Sequence, residues 1–243
     1  MTNHMECVAL LTPADRPLPT RGVVALGGMD LVDLNHVVEH GMTTYPGLPG
    51  PEVGEHLTFD DSRAVYGEGT EFTIGRLAMV TNTGTYLDTP YHRFRDGWDV
   101  AALRLDHCVD LPAVVVDADG EIGPQDFTDL DLAGAAVLLR TGWDRHWRTE
   151  AYGDPSHPFL TEDGARHLVA AGAVLAGIDA VNIDDTRGRA RPAHTALLGS
   201  NVVVVEHLTR LELLPATGAR FSGVPLRVSG LGTLPVRAFA RLP

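Results

Sequence analysis

The sequence predicts a mixed α/β protein with more strand than helix, and three observations carry that expectation. Two aliphatic runs, LPAVVVDAD (111–119) and AAVLLRTGWD (135–144), end in polar residues, as buried strands do when their C-terminal ends carry function. The second run is followed by a helix and another strand. Thr161 is a natural N-cap, Leu168 and Val169 mark a helical face, Gly172 ends the helix and AVLAGID (173–179) resumes as strand. Apolar runs punctuated by Gly and Pro from Phe221 to Ala240 read as closing strands.

The other elements follow in chain order. TPADRPLPTRG (12–22) and YPGLPGPEVG (45–54) read as loops, because closely spaced prolines sustain neither a ladder nor a helix. Between them MDLVDLNHVV (29–38) alternates apolar and polar residues like a half-buried strand, and FTIGRLAMVT (72–81) gives a second strand signal. AHTALLG (193–199) predicts a short helix and NVVVVEHL (201–208) a further strand. The chain of 243 residues, 44% hydrophobic, buries a sizeable core and is expected to be one domain spanning 1–243.

Nineteen Lys+Arg against 32 Asp+Glu give a formal charge of −13. That balance works against nucleic-acid backbones and anionic membrane surfaces, which need a basic face, and suits a small-molecule substrate. The only cysteines, Cys7 and Cys108, lack metal-type spacing and read as free thiols of a reducing compartment. CVALL (7–11) has no basic segment before it and meets Pro13 and Asp15, so it reads as neither a signal peptide nor a membrane span. A cytoplasmic location is expected.

The chemistry gathers in NTGTYLDTPYHRF (82–94). If this segment stayed extended, Asn82, Tyr86, Asp88 and His92 would project to one side, with Gly84 leaving room for a close approach and Pro90 bending the chain. Taken alone, Asp88 reads as a loop aspartate capping backbone N–H groups and His92 as a structural histidine. Glu206 ends the apolar run VVVV, and a carboxylate at that place either has a partner or a shifted pKa. His36 closes DLNH, where it is expected to support the site from behind. Trp143 and Trp147 follow RTG, where they line a pocket or pack the core. GVVALGG (22–28) is no dinucleotide loop, and VSGLG lacks the leading glycine of a nucleophile elbow.

NTGTYLDTPYH resembles the signature H-x-G-T-H-x-D-x-P-x-H of the cyclase-family metal-dependent hydrolases, which include bacterial kynurenine formamidase and isatin hydrolase. The resemblance extends through DLNHVVEHGMTTYPGLPG (33–50), LLRTGWD (138–144), GIDAVNIDD (177–185), HTALLGSNVVVVEHLTRLELL (194–214) and GVPLRVSGLGTLPVRAFA (223–240). It implies a swivelling β/β/α fold, strand-rich with few helices, and a homodimer or higher oligomer. It also implies metal-ligand positions at Asp88, His194 and Glu206, a proton-transferring histidine at His92, and zinc or manganese in the site.

Two positions depart from the signature, whose first and second histidines are Asn82 and Tyr86 here. An amide oxygen or a neutral phenol is a poor ligand for such ions, so one divalent ion is expected rather than two, with no organic cofactor. Asn82 and Tyr86 then become hydrogen-bond donors to an oxyanion, with Tyr86 also a proton donor. The leading expectation is a hydrolase of a small amide, formamide, lactam or lactone. The rivals are a metal-independent cyclase or dehydratase using Tyr86, Asp88 and His92, and a binding protein that has lost catalysis.

Overall fold

The computed structural model describes residues 23–26 and 29–243. The expected 12–22 loop, the CVALL run and Cys7 lie outside them. In chain order the strands are β1 (Val23–Leu26), β2 (Met29–Asp33), β3 (Glu52–Leu57), β4 (Ile74–Ala78), β5 (Tyr86–Asp88), β6 (Leu111–Asp117), β7 (Glu121–Ile122), β8 (Ala136–Arg140), β9 (Phe159–Leu160), β10 (Leu175–Ile178), β11 (Val203–Glu206), β12 (Arg220–Pro225) and β13 (Thr233–Arg241). Four short helices accompany them: α1 (Phe59–Val65), α2 (Pro90–Arg93), α3 (Glu162–Ala170) and α4 (Pro192–Gly199). Strand-rich α/β is the observed class, and no helix among the described residues is long and apolar enough to cross a membrane.

The runs singled out as buried strands form the parallel centre, in the order β6-β8-β10-β11. Their alternate residues serve two cores. Val114, Val116, Val137, Leu139, Ile178 and Val204 face Leu168 of α3 and Leu197 and Leu198 of α4. Val115, Leu138, Leu175, Val203 and Val205 face the other way, onto Leu87, Phe221 and Val236. Burial on both faces is why these segments are continuously apolar in sequence.

Antiparallel strands close the sheet. β5 pairs with β11 on one edge and with the start of β13 on the other, while β13 also pairs with β12, and β12 with β6. Seven strands thus form a barrel-like ring, and β1 and β2 extend it beyond β13. α3 begins as expected, with the Thr161 hydroxyl accepting from Gly164 N at 3.1 Å. It ends at Gly172 (φ +81°), where Ala173 N reaches Leu168 O and Gly172 N reaches Val169 O, a Schellman motif.

Three expectations change. The 29–38 strand stops at Asp33, because the Asn35 side chain takes over the ladder, accepting from Ala238 N and donating to Val236 O, both at 2.5 Å. The 72–81 signal yields β4, which among the described residues pairs only with β3 in a separate two-stranded sheet, with Ile74 and Leu77 exposed. β3 begins inside the expected 45–54 loop, and α1 follows it, capped by Thr58, whose hydroxyl accepts from Asp61 N at 3.1 Å.

Candidate active site

Register builds the site. In the β5–β11 ladder Tyr86 stands opposite Glu206, and on the other edge Asp88 stands opposite Thr233. The Tyr86 hydroxyl donates to Glu206 Oε2 at 2.6 Å, and Ile183 N donates to Glu206 Oε1 at 2.6 Å. The carboxylate ending VVVV therefore has two partners. Thr233 Oγ1 donates to Asp88 Oδ1 and lies 2.7 Å from His92 Nδ1.

The extended segment is shorter than its parity suggested. Only Tyr86–Asp88 is strand, and within it Tyr86 and Asp88 share a face. Residues 82–85 bend, with Gly84 at φ +64° and Val38 Cγ2 only 2.9 Å from where a Cβ would stand. Gly84 admits a close approach, and what approaches is Val38. After Asp88 the chain turns into α2, which places His92 Nδ1 3.5 Å from Asp88 Oδ1. His92 arrives by helical geometry and Asn82 by the bend, yet both line the same cavity.

His194 comes from α4. Its Nδ1 lies 2.6 Å from Asp184 Oδ2, and Asp184 also accepts from Ala193 N at 2.6 Å and His194 N at 3.1 Å. One carboxylate thus satisfies the start of α4 and fixes the imidazole. His194 Nε2 is left 3.6 Å from both Asp88 Oδ2 and Glu206 Oε1. A cavity of about 250 Å³ opens over this floor, lined by Asn82, His92, His194 and Glu206 with Tyr45 and Leu48 on its wall.

Burial works against a charge on His194, but Glu206, Asp184 and Asp88 outweigh it and raise the imidazole from 6.5 to about 10. Burial also opposes ionisation of Asp88, yet His194 and His92 beside it hold it below its ordinary value. Glu206 is pushed up to about 7 by burial, with His194 opposing and Asp88 adding to the rise. Burial, then Glu206 and Asp88, hold Tyr86 well above its ordinary value, so it is a neutral donor.

Asp88, His92 and His194 each offer a ligand atom within 4.8 Å of the others. Thr233 donates to Asp88, so His92 Nδ1 donates to Thr233. Asp88 Oδ2 is buried and has no hydrogen-bond partner among the described residues. Such an atom is costly unless something fills its coordination. The donor set of one carboxylate and two imidazoles fits a single divalent ion. Glu206 adjoins the group with both oxygens already engaged.

Sequence reasoning missed Asp184 and Thr233. An acid nine residues before a predicted helix was a usable sign for Asp184; Thr233, 145 residues from Asp88, gave none. His36 stacks on Trp147, with ring centroids 3.9 Å apart, and Trp147 in turn meets His207 behind Tyr86. Trp143 packs on the core and donates to Tyr152 O at 3.0 Å.

Residues 32–185 match the pattern of the Cyclase family, and the chain belongs to that family. A kynurenine formamidase of Salinibacter ruber is 30% identical over 221 residues, covering 88% of this chain and 98% of that protein. The kynurenine formamidase of Erythrobacter litoralis is 29% identical over 201 residues, covering 81% and 86%. Among solved structures, isatin hydrolase A from Labrenzia aggregata, bound to benzyl benzoate, has the same fold, with a TM-score of 0.74 and 24% identity over 88% of this chain and 94% of that one.

Proposed function

We propose that the protein hydrolyses a carbon–nitrogen bond of a small aryl formamide or lactam, with Asp88, His92 and His194 holding one divalent ion. The observation that carries this is the convergence of those three side chains, with Asp88 Oδ2 left orphaned beside His194. A divalent ion bound there supplies Lewis acidity, which makes water a competent nucleophile near neutral pH. The names of the relatives point to the same bond class.

The chain's own groups supply the rest. Thr233 and Asp184 orient His92 and His194. Glu206 lines the cavity floor, accepts the attacking water's proton and returns it to the nitrogen that leaves as the carbon–nitrogen bond breaks, while the Tyr86 hydroxyl steadies the transient carboxyl group. Asn82 faces the cavity with a side-chain amide that donates to the developing oxyanion. Tyr45 and Leu48 give the substrate an apolar wall.

The family resemblance divides these roles differently, with Asp88, His194 and Glu206 as ligands and His92 as proton carrier. The equal 3.6 Å separations from His194 Nε2 to Asp88 and to Glu206 favour that second reading. Metal content separates the two. If His92 is a ligand, His92→Ala loses its metal, whereas Glu206→Gln keeps it and loses about 10²–10⁴-fold in kcat. Retention of metal in His92→Ala, with loss in Glu206→Gln, contradicts the first assignment.

A further inference from the structure

The two short helices that deliver the histidines also deliver two arginines to the cavity. Arg93 follows His92 on α2, and Arg191 is the residue before α4. Both line the same cavity as His92 and His194, nearer solvent than the buried floor. Neither pairs with a carboxylate among the described residues. Arg93 spends only its Nε, on Thr195 Oγ1 at 3.1 Å. Arg191 spends only its Nη1, on the carbonyls of Asp185, Gly188 and Ala190 at 2.7–3.4 Å.

What each arginine leaves free matters. Arg93 retains its Nη1/Nη2 edge and Arg191 its Nε/Nη2 edge, so each offers a two-pronged pair of N–H groups, the shape that matches the two oxygens of a carboxylate. The bonds already made tether both guanidiniums and reduce the entropy lost on binding. The wider setting is hostile to acids. The chain carries a formal charge of −13 and the floor holds Asp88 and Glu206, so an acidic ligand enters only where local cations offset that field.

We propose that Arg93 and Arg191 form a carboxylate subsite at the mouth of the cavity, so that the preferred substrate is a small amide bearing a carboxylate apart from its scissile bond. This rests on the reading of the cavity floor as the hydrolytic centre. The carboxylate lies at the rim, the body of the substrate against Tyr45 and Leu48, and the amide over the floor. Arg93 and Arg191 set which substrates are accepted and leave the bond-breaking step to the floor.

The test uses benzoate and its neutral isostere benzamide as probes, and an aryl formamide with and without a ring carboxylate as substrates. Calorimetry on the wild type is expected to give tighter binding of benzoate than of benzamide. Arg93→Gln and Arg191→Gln, made separately, are each expected to weaken benzoate about tenfold, the scale of one charge-assisted contact. In turnover, each variant lowers the ratio of kcat/KM for the acidic over the neutral formamide by a similar factor, chiefly through KM. Unchanged benzoate affinity and an unchanged ratio in both variants overturn the subsite. If neither formamide is hydrolysed while benzoate affinity falls in the variants, the carboxylate subsite stands and the hydrolytic reading fails.

Discussion

Asp184 is fully buried, and three of its contacts run to the start of α4, two of them to His194 itself. Its carboxylate holds a proton on His194 Nδ1 and turns Nε2 toward Asp88. Asp184→Asn preserves the shape but weakens that bias, so it is expected to lower divalent-ion affinity about 10–100-fold in a chelator competition titration. Unaltered affinity shows that His194 is oriented by other means. His36 gives a pH prediction at the same scale. Burial lowers its pKa from 6.5 to about 4, with Asp144 opposing and Arg210 adding to the fall. The unfolded chain takes up this proton near pH 6.5 and the folded chain only near 4. The stability that neutral His36 contributes is therefore complete above 6.5 and drains away as pH falls to about 4, at up to about 1.4 kcal/mol per pH unit. In urea unfolding, the wild type should lose about 1.5 kcal/mol more than His36→Phe between pH 6.5 and 5. Equal losses contradict a buried neutral imidazole.

Among the elements, β10 depends on close packing within the core that holds Leu138 and Leu208. At Gly177 in β10 a Cβ would stand 2.7 Å from Leu208 Cδ1 and 2.8 Å from Leu138 Cδ2, both on fully buried side chains. Gly177→Ala is expected to destabilise the fold by about 1–3 kcal/mol through overpacking, read from the denaturation midpoint. A change under about 0.5 kcal/mol means that the interface is looser than described. The elements legible in sequence were those with a local cause. β6, β8, β10 and β11 announce themselves because burial on both faces demands continuous aliphatic runs, and α3 because Thr161 and Gly172 bracket it. β2 was read too long because Asn35 mimics a strand backbone, a contact made with residues about 200 positions away. α2 has four residues, too few for any periodicity to register.

At the scale of the whole molecule, the site exists because the ring closes. Residues 82–92, 184–206 and 233 meet only when β5 inserts between β11 and β13. The signature-like stretch therefore names the family from one strand and one turn, whereas Thr233 and Asp184 become visible only through register and packing. Tyr86 reaches Glu206 directly at 2.6 Å, and Asp88, His92 and His194 stand as one compact group. The central claim is that these three residues hold a single divalent ion. Its most direct test is the metal content of protein purified without chelator, alongside Asp88→Asn. Close to one equivalent of zinc or manganese is expected in the wild type and less than about a tenth in the variant; wild-type protein that stays metal-free after incubation with either ion contradicts a metal site at these residues.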